Sequence, residues 1–291
     1  MAKPTFIGIG AQKCASTWIY DILADHPDVI LSEKKEVDYF SYHYDHGRQW
    51  YESSFAANNR SFIAAGEISP SYFHEPAVPE RILAQYPDAK ILVALRDPVK
   101  RAISNHKHEI RVGHLSGDDL SLEFGLANNS TYIDQGLYAK HLQRWFEVFP
   151  REQILVLLFE DIIGDKQVAA KQIFNFLGIA ENHSPAALNS QSNPSYVNKF
   201  RGLESFRRSL RQTMSKLGLD SVWTFLQKAG LQKLYASLNK KPSESVIPPT
   251  SEVTKQQLAL AFREDIEKLE KMLNRDLSAW KASATNAGQN V

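Results

Sequence analysis

A parallel α/β sheet with helices packed on its faces is the architecture this sequence predicts, and three observations predict it. Short apolar runs alternate along the chain with segments whose apolar residues recur at helical spacing. Two of those runs, 91–95 and 154–159, are continuously apolar, as strands covered on both faces must be. The first run ends in a glycine-containing polar turn that opens directly into a helix, the start of a βαβ unit.

Taken in order, Phe6, Ile7 and Ile9 form the first strand, which stops in Gly8-Ile9-Gly10-Ala11-Gln12-Lys13. Trp18, Ile19, Ile22 and Leu23 then follow helical spacing until His26-Pro27 breaks it. A second strand is predicted at 29–31, followed by a polar stretch at 32–38, with further strands at 62–67, 91–95 and 154–159. Helices are predicted at 78–86, 98–112, 137–149 and 166–177, and the alternation implies right-handed crossovers and a doubly wound sheet. Pro248-Pro249 punctuates the C-terminal part, after which Leu258, Phe262, Ile266, Leu269 and Leu273 mark an amphipathic closing helix. The expected organisation is one domain over 1–280, with a basic helical insert at 199–247, a closing helix at 250–275 and a flexible tail at 281–291.

Bulk properties narrow the function. With 291 residues and 43% hydrophobic content, the chain can bury a substantial core. The net charge of +1 gives no global attraction to nucleic acid or membrane, and no nucleic-acid partner is expected. A single cysteine, Cys14, excludes an internal disulfide. No apolar run reaches the length of a transmembrane helix and no hydrophobic signal core opens the chain, so a cytoplasmic location is the default expectation. Charge is uneven, however: 199–241 carries ten lysines and arginines against Glu204 and Asp220, a local net of +8.

A strand-to-helix turn with a lysine is a general way to hold phosphate, because backbone N–H groups and the helix N-terminus face the anion. Here Lys13 supplies the point charge, and Ser16 and Thr17 supply hydroxyls at the helix start. The same turn also reads as an ordinary polar helix start capped by Ser16. A nucleotide kinase or other P-loop phosphotransferase is the rival class, but Gln12 precedes Lys13 and Cys14 follows it, which breaks the Gly-Lys-Ser/Thr pattern. After the apolar run, Arg96 stands beside Asp97, a poor neighbour for a Mg²⁺ ligand.

The run Gly10-Ala11-Gln12-Lys13-Cys14-Ala15-Ser16-Thr17-Trp18 resembles the phosphosulfate loop of the sulfotransferases that use 3′-phosphoadenosine 5′-phosphosulfate (PAPS). That family's usual form is Pro-Lys-Ser-Gly-Thr-Thr-Trp, so Cys14 and Ala15 replace Ser and Gly. A second match is Leu95-Arg96-Asp97-Pro98-Val99-Lys100-Arg101-Ala102-Ile103-Ser104, similar to the family's 3′-phosphate site. Guanidinium suits a terminal phosphate because it donates two hydrogen bonds at once; pairing of Arg96 with Asp97 or a helix carboxylate is the alternative. The resemblance implies a P-loop-like sulfotransferase fold and PAPS as donor, with Gln12, Lys13, Cys14, Ala15, Ser16, Thr17, Trp18, Arg96 and Ser104 as its binding residues.

Lys34-Lys35-Glu36-Val37-Asp38-Tyr39-Phe40 resembles the Lys-Glu-x-His-Phe-Phe segment of the heparan-sulfate type of enzyme, which makes Glu36 the expected general base and Lys35 a substrate contact. A solvated charged loop is the competing reading. Gly66-Glu67-Ile68-Ser69-Pro70-Ser71-Tyr72-Phe73 is similar to Glu-Lys-Thr-Pro-x-Tyr-Phe, with Ile68 replacing the substrate-facing lysine. Glu67, Tyr72 and His43 are expected at the acceptor cleft. Tyr138 is either a cleft residue or a core tyrosine. Lys199 and Arg201 fall where the family closes a basic segment over the 3′-phosphate, or simply begin a basic helix.

The basic segment 199–241 is read first as a lid, with contact to an anionic membrane or recognition of an acidic substrate as alternatives. The nine histidines show no converging metal-ligand set, and the expected mechanism needs no metal. The expected acceptor is a hydroxyl or amine of a glycan, lipid or other small molecule. A non-catalytic nucleotide- or lipid-binding protein is the remaining alternative.

Overall fold

The computed structural model describes residues 2–55, 61–117, 119–189, 196–198, 240–242 and 246–282. Lys199, Arg201 and nearly all of the basic segment 199–241 lie outside the described residues, as does the tail from 283 onward. The described part divides into two compact units. Of the described residues, those within 2–105, 129–189 and 252–282 belong to the first, and those within 106–128, 196–198, 240–242 and 246–251 belong to the second.

The first unit is built on five parallel strands: β1 (Phe6–Gly10), β2 (Val29–Leu31), β3 (Ala64–Ile68), β4 (Lys90–Leu95) and β5 (Ile154–Leu158). Their order across the sheet is β2-β3-β1-β4-β5. Every residue of β1 and β3 is buried, and all of β4 after Lys90, which is what their apolar and small-residue composition requires. The chain lays strands on one side of β1 and then on the other, so β1 is the point where strand order reverses. Ligands of open α/β sheets bind outside the carboxyl ends of the strands at such a point.

Helices follow the strands as α1 (Ser16–Ala24), α2 (Tyr39–Tyr42), α3 (Arg48–Ser53), α4 (Val78–Gln85) and α5 (Pro98–Val112). Later come α6 (Leu122–Asn128), α7 (Thr131–Asp134), α8 (Tyr138–Val148), α9 (Phe159–Gly164), α10 (Lys166–Leu177), α11 (Glu252–Leu273) and α12 (Ser278–Ala282). The expected apolar stripe of α1 is buried through Trp18, Ile19, Ile22 and Leu23. The closing helix buries Leu258, Phe262, Ile266 and Leu269. Its Asp265 carboxylate accepts the Ala139 and Lys140 N–H groups at 2.9 and 3.1 Å, satisfying two of the orphan amides that begin α8.

Strand β5 ends one residue earlier than the apolar run suggested, because Phe159 begins α9. The polar stretch after β2 holds no regular element until α2. In the second unit, Ile110 and Ile247 form a small core with Leu115, Leu120 and Val246. Residues Tyr196–Asn198 and Lys240–Pro242 pair there as an antiparallel two-stranded ribbon. Among the described residues, no helix is long and apolar enough to cross a membrane.

Candidate active site

Sheet order dictates which loops meet. The loops after β1, β2, β3 and β4 all leave the carboxyl edge of the sheet, and β1 lies between β3 and β4. The Ala11 N–H donates to Ala94 O at 2.7 Å, which ties the start of the first loop to the end of β4. Gly10 has φ +134°, and a Cβ there would come within 3.1 Å of Pro70 O, so only glycine lets this loop pass the turn after β3.

Lys13 and Ala15 both lie in the left-handed region, at φ 70° and 75°. Ala15, and not Ser16, is the N-cap of α1, and its side chain cannot accept a hydrogen bond. Helix geometry leaves the first amides of α1 without intrahelical acceptors, so the turn presents N–H groups of the kind that bind anions. Gln12 is half-buried, and its carbonyl accepts the Cys14 thiol at 3.5 Å. Trp18 is buried and donates its indole N–H to Leu188 O at 3.3 Å.

Arg96 stands at the end of β4. Its Nη1 reaches Lys13 O at a long 3.5 Å, and its guanidinium lies 4.4 Å from the centre of the Phe159 ring. Its buried Nε has no hydrogen-bond partner. A buried guanidinium nitrogen left unpaired carries a desolvation cost that an anionic oxygen would remove. That orphan donor, beside the uncapped N-terminus of α1, fits the phosphate groups of a nucleotide donor. Ser104 is half-buried about two turns along α5, on the same loop-helix unit as Arg96. The alternative pairing with Asp97 is not formed. Asp97 instead caps α5, accepting the Val99 and Lys100 N–H groups at 2.9 and 3.3 Å.

The loop after β2 brings the expected base to this cradle. Lys35 Nζ donates to Thr17 Oγ1 at 2.7 Å and lies 3.5 Å from Glu36 Oε1. One ammonium therefore joins the phosphate loop to the carboxylate. The Glu36 side chain is 48% exposed, open to an incoming acceptor. Glu36 and Asp38 are both left-handed, at φ 60° and 54°.

Beneath this loop lies a network that the motifs do not reveal. Glu67 is 0% exposed. Its Oε1 accepts the Tyr51 and Tyr72 hydroxyls at 3.1 and 2.6 Å, and its Oε2 accepts the Ser69 hydroxyl at 2.5 Å and the Val37 N–H at 3.4 Å. Burial pushes the Glu67 carboxyl up to about 7, against the pull of these four donors. Glu67 and Tyr72 are thus corrected from acceptor contacts to interior supports, since neither has surface to offer a substrate.

Tyr138 is likewise fully buried, with its hydroxyl 3.7 Å from Cys14 Sγ, so it is the core tyrosine of the two readings. Burial raises the Cys14 thiol to about 11, which keeps it protonated at neutral pH. His43 is half-buried and stacks on His46 with ring centres 5.3 Å apart, with Trp50 against both rings. Nothing places His43 beside Glu36. Asp38 Oδ1 accepts from Ser71 Oγ at 2.6 Å. Among the described residues, no group of three or more His, Cys, Asp or Glu side chains is placed to hold a metal ion.

Residues 3–254 match the model of the sulfotransferase domain. Over 182 residues the chain is 34% identical to mouse heparan sulfate glucosamine 3-O-sulfotransferase 3B1, covering 60% of this chain and 46% of that protein. It is 29% identical over 204 residues to mouse bifunctional heparan sulfate N-deacetylase/N-sulfotransferase 4, covering 62% of this chain and 23% of that one. The chain therefore spans about half the length, or less, of these curated relatives. Among solved structures, a sulfotransferase from Alicyclobacillus acidocaldarius superposes with a TM-score of 0.68 at 25% identity, covering 97% of this chain and all of the other. On the extent of the domain match, this chain belongs to the sulfotransferase family.

Proposed function

We propose that this protein transfers a sulfuryl group from PAPS to a hydroxyl or amine of an acceptor, with a glycan as the favoured acceptor class. One observation carries the reading: Lys35 links the Thr17 hydroxyl of the anion-binding loop to the Glu36 carboxylate, so donor cradle and base share one cation. When bound, PAPS supplies the sulfuryl group and the 3′,5′-bisphosphate leaving group. Lys13, Ser16, Thr17 and the first amides of α1 would hold the 5′-phosphosulfate. Arg96, with its free Nε, and Ser104 would hold the 3′-phosphate and so discriminate against nucleotides that lack it.

Glu36 takes the proton from the attacking oxygen or nitrogen of the acceptor. Lys13 offsets the negative charge that grows at the 5′-phosphate side as the sulfuryl group departs. Lys35 keeps the Glu36 side chain turned toward the Thr17 side of the cradle. Catalysis in this account is positioning plus a preorganised electrostatic field. Ile68, in the place of the lysine that faces substrate in heparan-sulfate-type enzymes, supports an acceptor that differs in detail from that polymer.

The test is incorporation of label from ³⁵S-PAPS into an acceptor panel containing heparan sulfate, a free amino sugar and a simple phenol. Transfer that depends on Glu36 is expected. Binding of the donor with no transfer to any member, and no difference between wild type and Glu36→Gln, would refute the enzymatic reading.

A further inference from the structure

The base loop is held in a conformation that its own sequence disfavours. Two non-glycine residues, Glu36 and Asp38, sit in the left-handed region, each at a cost of about 1 kcal/mol or more. Such a geometry persists only where surrounding groups over-determine it. Here the surroundings are four side-chain bonds to the backbone of Val37, Asp38 and Phe40. The Val37 N–H goes to Glu67 Oε2, the Asp38 N–H to Ser69 Oγ at 3.0 Å, and the Phe40 N–H to the Tyr72 hydroxyl at 3.3 Å. The Phe40 carbonyl accepts from Arg81 Nη1 at 2.6 Å. Ser69 and Tyr72 in turn donate to Glu67, so three of the four bonds lead to one carboxylate.

Four donors converge on Glu67, two at each of its oxygens, so this one side chain ties Val37, Tyr51, Ser69 and Tyr72 together. It is enclosed by β3, the turn at 69–72 and α3, and it touches no group of the phosphate cradle among its hydrogen-bond partners. We propose that Glu67 is a positioning residue, whose carboxylate fixes the left-handed backbone at 36–38 and thereby aims the Glu36 side chain. The proposal rests on the reading of Glu36 as the base, and it assigns to the buried carboxylate a role in turnover separate from donor binding.

The experiment is a double-mutant cycle between Glu67→Gln and Glu36→Gln, with PAPS as donor and heparan sulfate as acceptor probe. Hydrogen exchange at 36–40 is followed in parallel. In Glu67→Gln, an amide donor faces hydroxyl donors, so kcat is expected to fall about 10- to 100-fold, the order of loss that a displacement of about 1 Å brings. The affinity for adenosine 3′,5′-bisphosphate should stay within about twofold, because Arg96 and the first loop keep their own supports. In the Glu36→Gln background, Glu67→Gln should cost nothing further. Exchange at Val37 and Phe40 should quicken while residues 13–18 stay unchanged.

Ser69→Ala and Tyr72→Phe each remove one link with little change of volume, and should give smaller kcat losses of the same kind. They carry the cycle if Glu67→Gln does not fold. Equal losses in both backgrounds, a parallel loss of bisphosphate affinity, or unchanged protection at 37–40 would overturn the proposal. Full activity of Glu36→Gln alone would instead remove the base assignment beneath it, a distinct result.

Discussion

The phosphate loop and the base loop share a backbone device but not its support. Each contains two non-glycine residues in the left-handed region, Lys13 and Ala15 in one, Glu36 and Asp38 in the other. The phosphate loop is held by neighbours in sequence and by the adjoining strand: Ala11 bonds β4, the Cys14 N–H returns to Ala11 O, and α1 begins at once. The base loop is held from below by Glu67, Ser69 and Tyr72, which arrive from the loop edge of β3. A loop whose support is local can be read from a short motif. For the base loop a short motif marks Glu36 but says nothing of the buried, distant groups that hold it.

The comparison breaks most sharply at the base. Glu36→Gln should lower kcat by about 10²–10⁴, the usual contribution of a positioned general base, with bisphosphate binding preserved. Steady-state rates and calorimetry on the same preparation would separate the two effects. On the other side, Arg96→Ala should weaken bisphosphate binding about 10- to 100-fold, as loss of charge-assisted hydrogen bonds to a phosphate does. Arg96→Lys should recover only part of it, because lysine lacks the fork.

A third prediction concerns pH. Burial raises Glu67 from its ordinary 4.5 to about 7, so the folded state holds this proton more tightly than the unfolded chain. The resulting stability is complete below about pH 4.5 and is lost as pH rises toward 7, by about 3 kcal/mol in all. Denaturant titrations across that window should show the decline, and Glu67→Gln should flatten it. A wild-type curve with no such fall would sink the assignment of a raised carboxyl.

The smallest effect sharpens the contrast at the phosphate loop. Ala15→Gly restores the residue of the family's usual form at a left-handed position, and should stabilise by about 0.5 kcal/mol after the unfolded chain's gain in entropy is offset. A thermal melt reads this directly.

Much of the sheet was legible in the sequence. Continuous apolar runs marked the strands, and 98–112 and 166–177 coincide with α5 and α10. Phe159, being apolar, reads as the last strand residue, whereas it opens α9 with its ring under the Arg96 guanidinium, a contact that no local pattern encodes. Ser16 looked like a helix cap by residue type, yet the chain enters α1 through left-handed Ala15, which shifts the cap by one. Glu67 resembled a substrate residue because its motif neighbours one, and only the burial of Tyr51 and Tyr72 around it reveals an interior hub. The link from Thr17 through Lys35 to Glu36 is a tertiary fact, set by the position of β2 beside β3 at the same sheet edge.

The central claim is that a nucleotide with a 3′-phosphate occupies the cradle between Lys13 and Arg96. Isothermal titration with adenosine 3′,5′-bisphosphate and with 5′-AMP, both without Mg²⁺, tests it most directly. The account predicts a clear preference for the bisphosphate that Arg96→Ala abolishes. Equal affinity for the two nucleotides, or binding seen only with ATP and Mg²⁺, would contradict it and favour a phosphotransferase.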